Sequence, residues 1–152
     1  MEIRLAKIED EKSVLKLLDE LGEELNNKTI YSEHNIEAQK IGGPIFKEII
    51  SREDTYIFVA VENEEIVGLV TFYLLPNIRH GMHRGHIEYF VVSKNMRGKG
   101  VGTKLFDAIK NFCRKSNIKV IKLDTNNDLE AHSFYSKNGG KQTEVMYRFD
   151  ID

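Results

Sequence analysis

The chain's first chemically suggestive residue is Glu88, a carboxylate inside the otherwise apolar run His86-Ile87-Glu88-Tyr89-Phe90-Val91-Val92. By strand alternation Glu88 shares a face with Phe90 and Val92, where a carboxylate is costly unless it is solvated, paired or useful. Desolvation at that point would raise its pKa toward a range suited to accepting a proton. The plain alternatives are an exposed carboxylate at a strand end, or one that only attracts a cationic substrate.

The second feature follows directly. Arg97-Gly98-Lys99-Gly100-Val101-Gly102-Thr103 is a glycine-rich turn placed between that strand and a predicted helix. A helix N-terminus presents unpaired N–H groups and positive dipole character, and glycines let a phosphate approach the backbone. Arg97, Lys99 and Lys104 add local positive charge, so the turn suits a pyrophosphate. It is not a P-loop, because the lysine spacing and order after Gly98 are wrong, nor a dinucleotide fingerprint, because the spacing is G-x-G-x-G. Its plain alternative is a tight turn with a solvated basic rim.

His80, His83 and His86 recur every third residue, but they span a turn and a strand entry with no set of carboxylate partners, so no metal is expected. Cys113 sits on an apolar helical stripe and reads as a small core residue rather than a nucleophile.

The elements that must hold these groups can be read from periodicity. Ile3 and Leu5 suggest a short strand, and Asp10 a cap for a helix carrying Val14, Leu18, Leu21 and Leu25. The pattern blurs from Asn26 to Gly43. Pro44 then opens a helix with Ile45, Phe46, Ile49 and Ile50 on its apolar side. Tyr56 to Val61 and Ile66 to Leu74 predict a hairpin across Glu62 to Glu65, and Pro76 to Gly85 reads as a polar connection into the Glu88 strand. After the glycine turn, Val101, Leu105, Ile109 and Cys113 mark a helix. A strand over Lys119 to Leu123, a helix over Asp128 to Lys137 and a last strand over Gln142 to Ile151, with Val145, Tyr147 and Phe149 on one face, complete the order β-α-α-β-β-β-α-β-α-β.

With 152 residues, 41% hydrophobic and 30% charged, the chain is expected to form one α/β domain over residues 1–152. Lys plus Arg total 22 against 24 Asp plus Glu, so no overall basic field favours nucleic acid or an anionic membrane. A single cysteine and the lack of a signal-like N-terminus or a long apolar stretch point to a reducing cytoplasm.

The pattern R-x-x-G-x-G at Arg97, Gly100 and Gly102, after an apolar strand and opening an amphipathic helix, resembles the coenzyme A pyrophosphate loop of the GNAT superfamily of N-acetyltransferases. Ala131-His132-Ser133-Phe134-Tyr135-Ser136-Lys137-Asn138-Gly139 is similar to that superfamily's second signature, A-x-x-F-Y-x-x-x-G, and the element order matches its mixed-sheet fold. Gly140 departs from the pattern, standing where the family has an aromatic residue.

The resemblance implies acetyl-CoA as co-substrate and direct transfer of acetyl to a primary amine, with Glu88 as general base and Tyr135 as the acid that protonates the departing thiolate. Packing beside Phe134 is the alternative role for Tyr135. Coenzyme binding would fall to Phe90, Val91, Val92, Arg97, Gly98, Lys99, Gly100, Val101, Gly102, Thr103, Ala131, Phe134 and Tyr135, with Asn127 or Asp128 also contacting the coenzyme arm. An N–H between Tyr89 and Val91 would face the oxyanion. The implied acceptor is a small-molecule amine such as an aminoglycoside, amino sugar or polyamine, and a homodimer is a further implication. Three readings stay in competition: a peptide or protein N-acetyltransferase, a coenzyme A-binding module without turnover, and a nucleotide- or nucleic-acid-binding α/β domain.

Overall fold

The computed structural model describes residues 1–26, 37–125 and 129–151. Its centre is a sheet ordered β1-β2-β3-β4-β5, formed by Glu2–Leu5, Thr55–Glu62, Glu65–Asn77, Met82–Val92 and Ile121–Leu123. The first three pairings are antiparallel, and β4 pairs β5 in parallel. This is the mixed α/β sheet that the sequence pattern predicts.

Both faces of the central strands are buried, which explains their nearly unbroken apolar sequence. On one face Val59, Leu69 and Val91 pack against Val14 and Leu17 of α1 (Glu11–Asn26) and Phe46 of α3 (Gly43–Ser51). On the other, Ala60, Val70, Phe72 and Ile87 pack against Val101, Leu105, Ile109 and Cys113 of α4 (Val101–Lys115). The last four residues are the predicted stripe, and none is more than 4% exposed. Such a side chain gains roughly 1.5–3 kcal/mol from full burial. A short helix α2 (Ala38–Ile41) falls within the stretch that carried no periodic signal, and α5 (Leu129–Lys137) follows β5.

Several expectations shift in detail. Asp10 does not cap α1 as a lone N-cap residue. It ends a short 3₁₀ turn, where its carboxylate accepts two bonds from the Arg4 guanidinium at 2.7 and 3.1 Å and one from the Lys7 amide at 2.7 Å. Arg4 is the main reason that this carboxyl sits below the ordinary aspartate range. The β2–β3 connection shrinks to Asn63 and Glu64, both with positive φ, because a tight turn of that twist matches the strands. Most of the predicted polar connection, 76–85, lies in strands, with Asn77 opposite Met82. Its backbone continues the ladder past the point where the side chains stop contributing to the core.

The largest difference is at the C-terminus. Residues 141–151 pair with no strand among the described residues, and Val145, Tyr147, Phe149 and Ile151 are all at least 81% exposed. Alternation predicts a strand's two faces but not which edge will accept it. β5 is only three residues long, and Lys122 is tied to this segment by an ion pair with Glu144.

Candidate active site

The site begins where two parallel strands part. β4 and β5 pair only at Gly85, His86 and Ile87, opposite Ile121, Lys122 and Leu123. Beyond Ile87 a cleft of about 680 Å³ opens between them, walled by the rest of β4, the glycine turn, α5 and residues 123–125.

A bulge re-aims β4 at the same place. Val70 opposes Phe90 but Phe72 opposes Ile87, so three steps on β4 match two on β3. The extra residue breaks the alternation that the sequence implies. Phe90 and Val92 turn toward the α4 face, Val91 toward α1, and Glu88 and Tyr89 both lie exposed. Thr71, buried on β3, fixes the bulge by accepting the Tyr89 N–H at 2.9 Å.

Glu88 is therefore not on the face of Phe90 and Val92, and it is not desolvated: its side chain is 46% exposed. It pairs instead with His86, whose Nε2 lies 2.8 Å from Glu88 Oε2 and whose ring stacks beside Tyr73. This arrangement puts negative charge at the cleft mouth, with a titratable imidazole in hydrogen-bond contact.

The glycine turn adopts the form its composition allows. Gly98 and Gly100 have φ of 74° and 83°, in the left-handed region, and Gly100 forms the N-cap of α4 without any side-chain cap. The first-turn amides of α4 are thus left for a ligand or solvent. A Cβ added at Gly98 or Gly100 would meet nothing within 4 Å, so the space before this backbone is open. Gly102 is small for a different reason, since a Cβ there would lie 3.3 Å from the Phe134 ring.

Arg97 braces the turn rather than reaching into it. Its Nε donates to the Val92 carbonyl at 3.0 Å, and its terminal nitrogen meets Glu24 of α1 at 2.9 Å. Lys94 approaches the same carboxylate at 3.6 Å.

Across the cleft, Tyr135 and Phe134 pack with Phe90 and Phe106 in mainly edge-on contacts, with centroids 5.4 to 6.4 Å apart. Burial pushes the Tyr135 phenol up to about 12, so it holds its proton throughout the physiological range. The end of α5 is locked locally: Gly139 takes a left-handed φ of 88°, and the Gly140 N–H donates to the Tyr135 carbonyl at 2.9 Å. A Cβ at position 140 would sit 2.9 Å from that oxygen, which accounts for glycine where the signature has an aromatic residue.

Of the residues singled out from sequence, Glu88, Phe90, Val91, Val92, Arg97, Gly98, Gly100, Gly102, Thr103, Ala131, Phe134 and Tyr135 all line the cleft. Lys99 is exposed outside the lining, and Val101 is buried beneath the turn in the core. Asn127 and Asp128 lie outside the described residues. Sequence reasoning missed Leu21, Glu24 and Leu25 of α1, which close the cleft from the far side. Their helical stripe signalled only core, and nothing linear connects Glu24 to Arg97.

Cys113 is 4% exposed and its thiol is pushed up to about 11 by burial, which makes it a poor nucleophile. Among the described residues, no group of three or more His, Cys, Asp or Glu side chains is placed to hold a metal ion, and no helix is long and apolar enough to cross a membrane.

Comparison with known proteins decides the family. Residues 17–140 match the model of the acetyltransferase (GNAT) family. The chain belongs to the GNAT family. Among its relatives, an aminoalkylphosphonate N-acetyltransferase of Salmonella typhimurium is 30% identical over 147 residues, covering 96% of this chain and 88% of that one. N-alpha-acetyltransferase 30 of Schizosaccharomyces pombe is 28% identical over 110 residues, covering 71% of this chain and 72% of the relative. The fold is also that of a solved structure described as a transcriptional regulator from Bacillus halodurans, with a TM-score of 0.82, 24% identity and 99% of each chain covered. The splayed β4–β5 edge and the glycine turn at the start of α4 are therefore features of a GNAT fold carried by this sequence.

Proposed function

We propose that this GNAT protein moves the acetyl group of acetyl-coenzyme A directly onto the primary amine of a small molecule. The observation that carries the proposal is the convergence on one cleft of the uncapped, glycine-lined start of α4, the unpaired edge of β4, the protonated Tyr135 and the exposed Glu88.

The residues present fit the coenzyme. The open backbone of Gly98, Gly100 and Gly102 suits its diphosphate, and the β4 edge from Phe90 to Val92, facing Ala131 and Phe134, suits its extended arm. When bound, it supplies an acyl group activated as a thioester. Arg97 contributes by holding the turn against α1 and β4 rather than by contacting phosphate.

Glu88 attracts an ammonium group to the cleft mouth, takes its proton and, being itself open to solvent, can return it there, while His86 holds the carboxylate by a hydrogen bond. Burial keeps the Tyr135 phenol protonated until a leaving thiolate takes the proton. The Tyr89 amide is engaged by Thr71, and ladder alternation from the Ser93–Val67 bond turns the Val91 amide toward Leu69 of β3, so the Phe90 amide is the remaining candidate for the oxyanion donor.

The small-molecule reading rests on the Salmonella relative, whose name places its chemistry on a small aminoalkyl compound and which aligns with nearly all of this chain. The yeast relative's name points to protein N-termini instead. Thiol release from acetyl-coenzyme A, measured against a panel of amines and short peptides, tests both. Turnover with small amines supports the proposal, turnover confined to peptides replaces it, and no thiol release from any acceptor overturns it.

A further inference from the structure

A second cavity adjoins the cleft on the α1 side of the sheet. It holds about 320 Å³, the volume of roughly ten waters, and shares Leu21, Leu25 and Tyr89 with the coenzyme cleft. Tyr89 follows Glu88 on the bulge, so this space begins beside the carboxylate at the cleft mouth.

Its walls are apolar. Leu18, Ile41, Ile45 and Ile49 face the rings of Tyr73 and Tyr89, and no Lys, Arg or His lines it among the described residues. Four side chains with polar atoms also line it, namely Asp19, Thr71 and the hydroxyl-bearing Tyr73 and Tyr89. Asp19 accepts bonds from the Ala38 and Gln39 amides and from the Gln39 side chain. Thr71 accepts the Tyr89 amide. Asp19 and Thr71 each hold a bond that the fold uses, and the rest of the lining is apolar or aromatic.

Ile41 and Ile45 add an independent sign. They are 61% and 57% exposed at the rim, although the apolar pattern of α3 would place Ile45 inward. Apolar side chains left open beside a cavity mark a surface that a ligand covers.

We infer that the acceptor amine carries an uncharged apolar arm, branched aliphatic or aromatic, which lies in this cavity while its amino group sits at Glu88. The inference rests on the transfer reaction proposed above and narrows its substrate class. Such an arm differs from the phosphonate named for the Salmonella relative, because a dianion in this cavity would face apolar walls and the Asp19 carboxylate.

The test is calorimetry on the full chain loaded with coenzyme A, titrated with 2-phenylethylamine, isopentylamine, 2-aminoethanol and 2-aminoethylphosphonate. The two apolar amines should bind about 30-fold or more tightly than the polar ones, the effect of covering some 80 Å² of apolar surface. Ile45→Asp, at an exposed position that does not threaten the fold, should reduce that preference about tenfold with coenzyme A affinity unchanged. Equal or tighter binding of the phosphonate or the alcohol, no binding of the apolar amines, or an unaltered preference in Ile45→Asp would each overturn the inference. Apolar amines that bind with this preference yet release no thiol would sink the transfer reaction and leave the cavity assignment standing.

Discussion

The wall of the cleft made by β4, the glycine turn and α4 comes from one contiguous stretch, residues 82–115, whereas the opposite side joins Leu21 and Leu25 of α1, Leu123 of β5 and Tyr135 of α5. In the first, neighbouring residues act together, and their spacing alone announces a turn that can receive an anion. In the second, each residue has a local reason to be where it is, a helical stripe or a strand end, and becomes part of a site only through packing. Damage to the contiguous wall, Glu88 excepted, should therefore register as lost coenzyme affinity. Damage to the assembled side should register as lost turnover or acceptor selectivity.

The sharpest way to break this division is Tyr135→Phe, which removes the proton donor but keeps the ring between Phe90 and Phe134. We expect kcat to fall about 100-fold or more, with coenzyme A affinity within about twofold of the parent. Equal turnover would remove Tyr135 from the chemistry. Glu88→Gln should lower kcat/KM for amines about 10- to 100-fold at neutral pH, and the loss should shrink as pH rises and the acceptor arrives already deprotonated. A pH-independent loss would instead identify Glu88 as a binding group.

On the contiguous wall, Gly102→Val drives a branched side chain against Phe134, and coenzyme A should bind about tenfold more weakly by calorimetry. Unchanged affinity would show that the start of α4 tolerates displacement. Thr71→Val leaves the bulge amide without its acceptor and should destabilise the chain by about 1 kcal/mol in urea unfolding. Amine kcat/KM should fall more than coenzyme affinity, since the bulge aims Glu88 but not the turn.

The smallest effect concerns alkaline stability. Burial raises the Tyr135 phenol from 10.0 to about 12, so its neutral form is favoured in the folded protein. That contribution is complete below pH 10 and is lost as pH climbs toward 12. Thermal melts across this window should show a shallower decline for Tyr135→Phe than for the parent.

How much was legible beforehand varies with the range of the forces involved. The α4 stripe, the glycine turn and the β2–β3 hairpin follow from residues within a few positions of one another, and each formed, although the hairpin loop is Asn63 and Glu64 alone. The face of Glu88 did not, because one bulged residue held by Thr71 from the neighbouring strand inverts the alternation. The brace between Arg97 and Glu24 was not legible either, since Glu24 lies 73 positions away in the chain and 2.9 Å away in space.

By itself, the sequence determined the β2 and β3 strands and the α4 helix, where the chain can expose amides to an anion, and that Val101, Leu105, Ile109 and Cys113 face a core. These properties depend on backbone periodicity and on the absence of side chains at particular positions. Tertiary structure decided that β4 and β5 part after Ile87, that Glu88 is exposed beside His86, that α1 closes the cleft and that Ile45 borders a cavity. It also left residues 141–151 unpaired despite their alternating pattern. Pairing, burial and charge contacts are properties of two surfaces together, and a linear pattern specifies only one of them.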